Sequence, residues 1–262
     1  MQLPYVDLFV LLILPALALI FTFLHHARVG RGSVPTLRPL AGMAAFEKRL
    51  REVVEVGQPV HVATGASQPG AVGATAETLA SLLITQRLAE AATQRGAHTA
   101  VTTGDVVALA AARGTVRQAY RGTGLAADYR GSAVQLVAHQ TPIAYAAGVA
   151  RRYAVEPMDM SVVVGDYGSE ALLIGEEGAQ RRLPQISGAT TSTALPGLAL
   201  STDATLIGEE LWAAEAYLSA AAAPKARLLT QDALRRILVL SIIAGMIYQV
   251  LDLFLGLGLP SL

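Results

Sequence analysis

The sequence predicts an α/β fold: a Rossmann-like, doubly wound, mainly parallel sheet carried on two transmembrane helices, one near each end of the chain. Two apolar segments are too long and too free of charge for a soluble core, and between them short β-rich runs alternate with helical stretches. Composition agrees, since 53% of the 262 residues are hydrophobic and only 15% charged.

The first apolar segment, LFVLLILPALALIFTFL (Leu8–Leu24), reaches across a bilayer core at ~1.5 Å per residue. A cleaved leader would carry Lys or Arg ahead of its apolar run; here Asp7 occupies that place and the basic residues follow, so the segment reads as an anchor. The second, ILVLSIIAGMIYQVLDLFLGLGL (Ile237–Leu259), is longer. This divides the chain into an N-terminal transmembrane helix (1–27), a connector with a short charged helix from Ala45 (28–58), an α/β domain (59–222), and a linker with the C-terminal transmembrane helix (223–262).

Cations set the expected orientation. Arg28, Arg31 and Arg38 follow the first span and Lys225, Arg227, Arg235 and Arg236 precede the second, with none outside either. Because Lys and Arg are retained on the cytoplasmic side, the expectation is a two-pass protein of the plasma membrane with both termini outside and the central domain cytoplasmic. The lack of cysteine fits a reducing compartment.

Strands are expected at Pro59–Gly65, His98–Gly104, Ala133–His139, Ser161–Gly165, Pro184–Thr190 and Gly197–Thr202, and helices at Ala76–Arg95, Val106–Tyr120, Ile143–Val155, Glu170–Arg181 and Ala204–Ser219. Thr75, Asp105, Thr141, Ser169 and Asp203 are the expected N-caps. The pentapeptide LIGEE occurs at Leu173–Glu177 and at Leu206–Glu210. Both copies are expected inside sheet-packing helices, with Leu and Ile inward, Gly allowing close approach and the Glu pair in water.

In an open α/β sheet, ligands bind beyond the carboxyl ends of the strands, where helix N-termini present free N–H groups. That edge is expected to gather Gly65, Gly70 and Gly73 from the first loop with Asp105, His139, Asp166 and Asp203, and beside them Thr64, Thr103, Gln140, Thr141, Tyr167 and Ser187. The glycine-rich stretch VATGASQPGAVGATAETL (Val62–Leu79) resembles a phosphate cradle only in part. Gly65 and Gly70 have P-loop spacing, but Ala71 replaces the lysine and Val72 the hydroxyl residue, and Ser67 takes the second glycine position of a dinucleotide fingerprint. It reads first as a structural turn.

No serine-elbow, zinc-helix or cysteine-nucleophile motif is present. His25 and His26 read as interfacial, His61 as a core or strand-face residue, and His98 as a strand start, so no metal and no cofactor is expected. Arg113, Arg117 and Arg121 read as a solvated helix face, and a chain of zero net charge with one Trp excludes a nucleic-acid surface.

In the second span Ser241, Gly245, Gln249, Asp252 and Gly256 recur at three- or four-residue spacing. Small residues let helices approach and polar ones bond across the contact, so this stripe is expected to mediate oligomerisation, with Ala18 and Thr22 as a matching surface and Pro15 as a candidate kink in the first span.

The segments RPLAGMAAFEKRLREVVEVGQPVHVATG, TPIAYAAGVARRYAVEP, VVVGDYGSEALLIGEEGAQRRLPQISG, LIGEELWAAEAYL and TQDALRRILVLSIIAGM resemble an uncharacterised family of prokaryotic membrane proteins, catalogued as a domain of unknown function. The resemblance implies membrane anchoring and a prokaryotic source; it implies no activity and no site residues.

Three functional expectations follow. The first is a non-enzymatic membrane protein whose partners are the bilayer and copies of itself, assembled into a ring or shell. The second is a membrane-anchored sensor or carrier of a small anionic ligand or nucleotide at the strand ends. The weakest is an enzyme with Asp166 and His139 as acid and base.

Overall fold

Runs rich in Val, Thr and Ala form six parallel strands: β1 (Val60–Gly65), β2 (Thr99–Thr103), β3 (Val134–Leu136), β4 (Met160–Asp166), β5 (Gln185–Ala189) and β6 (Ala204–Ile207). The computed structural model describes residues 5–33, 37–53, 59–67, 70, 74–219 and 221–255. In space the strands lie in the order β3-β2-β1-β4-β5-β6, so the progression reverses between β1 and β4.

The helices are α1 (Tyr5–Gly30), α2 (Ala41–Val53), α3 (Ala74–Thr93), α4 (Val106–Gly122), α5 (Pro142–Val155), α6 (Ala171–Gln180), α7 (Leu195–Ser201), α8 (Glu209–Leu218) and α9 (Ala222–Leu255). They fall into two units: α2 to α8 with the sheet (Leu37–Ser219), and α1 with α9.

Parallel strands buried on both faces read as near-continuous apolar runs, and β1, β2 and β5 are buried along their whole length. One face packs Val62, Val101, Val162, Val164, Ile186 and Leu206 against Met43 and Phe46 of α2, Ile84 and Leu88 of α3, Val116 of α4 and Leu211 of α8. The other carries Ala63, Val163 and Ala189 beneath Tyr145 and Val149 of α5, Ile174 of α6 and Leu198 of α7. Interleaved with those apolar residues, His61, Thr102, Ser161, Gln185 and Ser187 are buried too.

Several expectations are corrected in the C-terminal part of the sheet. GLALST is not a strand: Leu195–Ser201 is helix, because Pro196 in its first turn is pre-set for helical φ and the hydroxyl of Ser201 bonds back to the carbonyl of Gly197 at 2.8 Å. The sixth strand is instead Ala204–Ile207, expected to be helical. Asp203 is therefore no N-cap; it precedes β6, and its carboxylate accepts the amide of Gln185, the first residue of β5, at 3.0 Å. The second LIGEE crosses from strand to helix, with Gly208 at φ +57° making the turn, so the shared helical packing fails for that copy. In the first copy Ile174 is buried, Leu173 is outside, and Gly175 meets Ser201.

Among the caps, Asp105 holds the amides of Val107 and Ala108 as expected. Thr141 occupies the N-cap position of α5, but its hydroxyl donates to the carbonyl of His139. Thr75 lies inside α3 and its hydroxyl accepts the amide of Gly70, while Glu170, not Ser169, precedes α6.

In the helical unit, α1 and α9 are both long and apolar enough to cross a membrane, over Leu12–Gly30 and Ala222–Val250 among the described residues. They pack side by side. Ala18 and Thr22 lie half-buried on α1, in register with the buried Val29, and on α9 Ala226 and Thr230 are buried. Helix α1 runs on through Pro15.

Candidate functional site

Five of the seven residues first expected at the carboxyl edge are there. Gly65 ends β1, Asp105 follows β2, His139 follows β3 and Asp166 ends β4, with Gly70 in the loop from β1 to α3. Asp203 is at the opposite edge, because it enters β6 rather than leaving it. Gly73 lies outside the described residues.

At the reversal point the backbones of β1 and β4 approach unusually closely. Gly65 has φ +88° and Gly165 φ +146°; a Cβ on the first would meet the carbonyl oxygen of Asp166 at 2.6 Å, and one on the second would overlap that of Thr64. Only glycine satisfies both the positive φ and the contact. The amide of Gly104 donates to Gly65 at 2.9 Å and that of Gln140 to Gly104 at 2.8 Å, stitching three strand ends together. His139 lies between Ala138 at φ 111° and Gln140 at φ 50°, two non-glycine residues in the left-handed region. Such strain collects where the surrounding structure over-determines a loop.

Two buried carboxylates at this edge are half-satisfied. Asp105 spends Oδ1 on the α4 amides, at 2.8 and 3.0 Å, while its Oδ2 is buried without a hydrogen-bond partner among the described residues. Glu77, in the first turn of α3, accepts the hydroxyl of Thr190 at Oε1 and leaves Oε2 buried without a partner among the described residues. Sequence reasoning missed Glu77; the signal was an acid in the first turn of the helix that enters from β1. These oxygens accept hydrogen bonds, so they suit a hydroxyl or amino donor better than an anion.

Asp166 and His139 are not brought together. Their strands are separated by β2 and β1, which at ~4.8 Å per strand places the strand ends ~14 Å apart.

Beneath the edge, on the α5 side, runs a buried chain of hydroxyls through His61. Tyr145 has one proton, which goes to the carbonyl of Thr102 at 3.1 Å, so Thr102 Oγ1 donates to the Tyr145 oxygen at 3.2 Å. Thr102 Oγ1 must then accept from His61 Nε2 at 3.0 Å, and His61 Nδ1 accepts from Ser161 Oγ at 3.0 Å. Ser161 in turn accepts from Tyr153 at 2.5 Å. The directions specify one neutral tautomer of His61. Burial, and then the nearby charge of Arg152, lower its pKa from 6.5 to about 3. Burial pushes the phenols of Tyr145, Tyr153 and Tyr167 up. The network is therefore uncharged across the physiological range and has no acid or base poised near neutrality.

At the opposite edge of the sheet, a cavity of about 570 Å³ is bordered by His98, Tyr120, Asp128, Arg130, Arg152 and Glu156. Arg152 and Glu156 neutralise one another at 2.7 Å. No group of three or more metal-ligating side chains exists among the described residues. Arg113, Arg117 and Arg121 are exposed along α4.

On α9, Ser241 and Gln249 are exposed and Gly245 is half-buried. The side chain of Asp252 and all of Gly256 lie outside the described residues.

The chain belongs to the family described as a domain of unknown function (DUF6754), whose profile matches residues 3–258. No curated protein matches the chain, and no solved structure does.

Proposed function

We propose that this is a two-pass membrane protein whose Rossmann-like domain faces the cytoplasm and whose chains assemble, through the membrane helices, into a homo-oligomeric ring or shell without catalytic activity. The observation that carries this reading is the exposure of Ser241 and Gln249 on the mainly apolar stretch 237–250 of α9. A carboxamide facing lipid is costly unless it bonds across a helix contact, and α1 leaves it uncovered. The Rossmann-like assignment is supported by the all-parallel order β3-β2-β1-β4-β5-β6, reversing beside β1. The Arg-rich flanks of both spans support the orientation.

Mass photometry of the detergent-extracted full chain is expected to give a discrete assembly, which Gln249→Leu with Ser241→Leu dissociates. A monomer at micromolar concentration in several detergents removes the reading.

A second reading, a membrane-anchored sensor or carrier of a nucleotide-like ligand at the carboxyl edge, is favoured by the unpartnered oxygens of Asp105 and Glu77. They match ribose hydroxyls or a base amino group rather than phosphate. It predicts that a nucleoside or nucleotide raises the melting midpoint, and that Glu77→Gln reduces the shift several-fold. No shift across nucleosides, nucleotides and sugar phosphates counts against it.

A further inference from the structure

We propose that the cleft between α1 and α9 binds the phosphate headgroup of an anionic phospholipid. The cleft encloses about 450 Å³ and is lined by His25, Arg28, Ser33 and Arg236, with Leu229 and Ile237 as its apolar wall. Arg28 lies in the last turn of α1, just past the apolar run that ends at Leu24, and Arg236 immediately precedes the apolar run that begins at Ile237. Both cations therefore sit at one boundary of the spans, at the level of headgroups.

Neither has a carboxylate partner within 4.0 Å among the described residues: the ion pairs all lie elsewhere, and the Nε of Arg236 donates only to the carbonyl of Asp232 at 3.2 Å. Two guanidinium groups lining one cleft repel each other unless an anion joins them, and their planar forks fit phosphate oxygens.

His25 adds a placed ring nitrogen. Thr230 donates its one hydroxyl proton to the carbonyl of Ala226 at 2.9 Å, so at 3.1 Å it accepts from His25 Nδ1. That bond orients the ring and makes Nε2 of the neutral ring an acceptor, which suits a headgroup hydroxyl such as that of glycerol, while the two guanidinium groups take the phosphate oxygens. The apolar wall selects a lipid over a free anion: Ile237 continues into the exposed Leu238 and Leu240, and α1 offers exposed Phe23 and Leu24, along which acyl chains can lie. The proposal rests on the two-pass reading but not on self-assembly, since one chain supplies every lining residue.

The test uses the full chain in lipid nanodiscs of phosphatidylcholine, with and without phosphatidylglycerol, read by native mass spectrometry and by melting. Retention of phosphatidylglycerol in preference to phosphatidylcholine is expected, with a melting midpoint several degrees higher. Arg28→Gln with Arg236→Gln should abolish both effects and leave the midpoint in pure phosphatidylcholine unchanged. Arg113→Gln with Arg117→Gln, the same charge change on exposed α4, should leave both intact. Equal retention of the two lipids by the unaltered protein overturns the proposal without any variant. So does an equal shift from millimolar inorganic phosphate or glycerol phosphate in phosphatidylcholine, which would assign the cleft to a soluble anion. Persistence of the lipid preference in the Arg28/Arg236 variant overturns it too. An oligomer that dissociates while lipid retention persists would cost the assembly reading and spare this one.

Discussion

Both faces of the sheet are buried, yet they are held by different physics. The face under α2, α3, α4 and α8 is mainly apolar, with Val62, Val101, Val162 and Ile186 meeting Ile84, Leu88 and Leu211, although alternation puts the buried Thr64, Thr99 and Thr103 among them. Its stabilisation is non-directional and scales with area removed from water. Under α5, α6 and α7 the same strands present His61, Thr102, Ser161, Gln185 and Ser187, each buried. There an unpaired buried polar group costs ~1–3 kcal/mol, and His61, Thr102, Ser161 and Ser187 each have side-chain partners, whereas Oε1 of Gln185 has none among the described residues. The covering helix adapts: a Cβ at Gly178 would overlap the side chain of Gln185, which donates to the carbonyl of Ile174 at 3.3 Å, and one at Gly175 would overlap Ser201. The aliphatic face supplies bulk stability, and the polar face specifies register and helix position.

The largest expected effect tests the aliphatic side. Leu88→Ala empties a fully buried position in α3 and should lower unfolding free energy by ~3 kcal/mol. Because burial pushes the phenol of Tyr120 in that layer up, away from the range tested, the loss should be the same at pH 5 and pH 8 in denaturant titrations of the detergent-extracted chain. A loss that varies with pH would show that the two faces are coupled through the strands.

The aliphatic face was legible in the sequence and the polar one was not. Runs such as VVV at Val162–Val164 announce a buried parallel strand, and Asp105 announces the helix it caps, because both signals are local. His61 could be placed in a strand by its alternation with Val60 and Val62, but its partners Thr102 and Ser161 lie 41 and 100 residues away. No local pattern encodes that convergence. LIGEE makes the same point: Leu173–Glu177 is helical, while Leu206–Glu210 is strand, turn and helix start. Five identical residues take whichever form their sheet neighbours dictate, and the pairing of Gly188 with Leu206 decides the second copy. Reading that copy as helix also put Asp203 at the wrong edge. At the carboxyl edge Asp105 was found through its cap, whereas Glu77 was missed because a first-turn acid is ordinarily a solvated dipole partner.

The smallest expected effect at neutral pH is on the polar side, and it sharpens the contrast most. His61 has a pKa of about 3 in the folded chain against 6.5 when unperturbed. Between those values the unfolded chain binds a proton that the folded chain refuses. The contribution is therefore fully present above pH 6.5 and is lost as pH falls toward about 3, at ~1.4 kcal/mol per pH unit through the middle of that window. His61→Gln keeps a donor for Thr102 and an acceptor for Ser161 but cannot titrate. It should cost ~1 kcal/mol at pH 8, where only bond geometry is lost. Below pH 6 its stability should fall less steeply than that of the unaltered protein, so the two curves converge and then cross. Parallel curves from pH 8 to pH 4 would mean that the folded chain protonates His61 as readily as the unfolded one does, and that the single tautomer specified by the Tyr153–Ser161–His61–Thr102–Tyr145 chain does not exclude the charged ring.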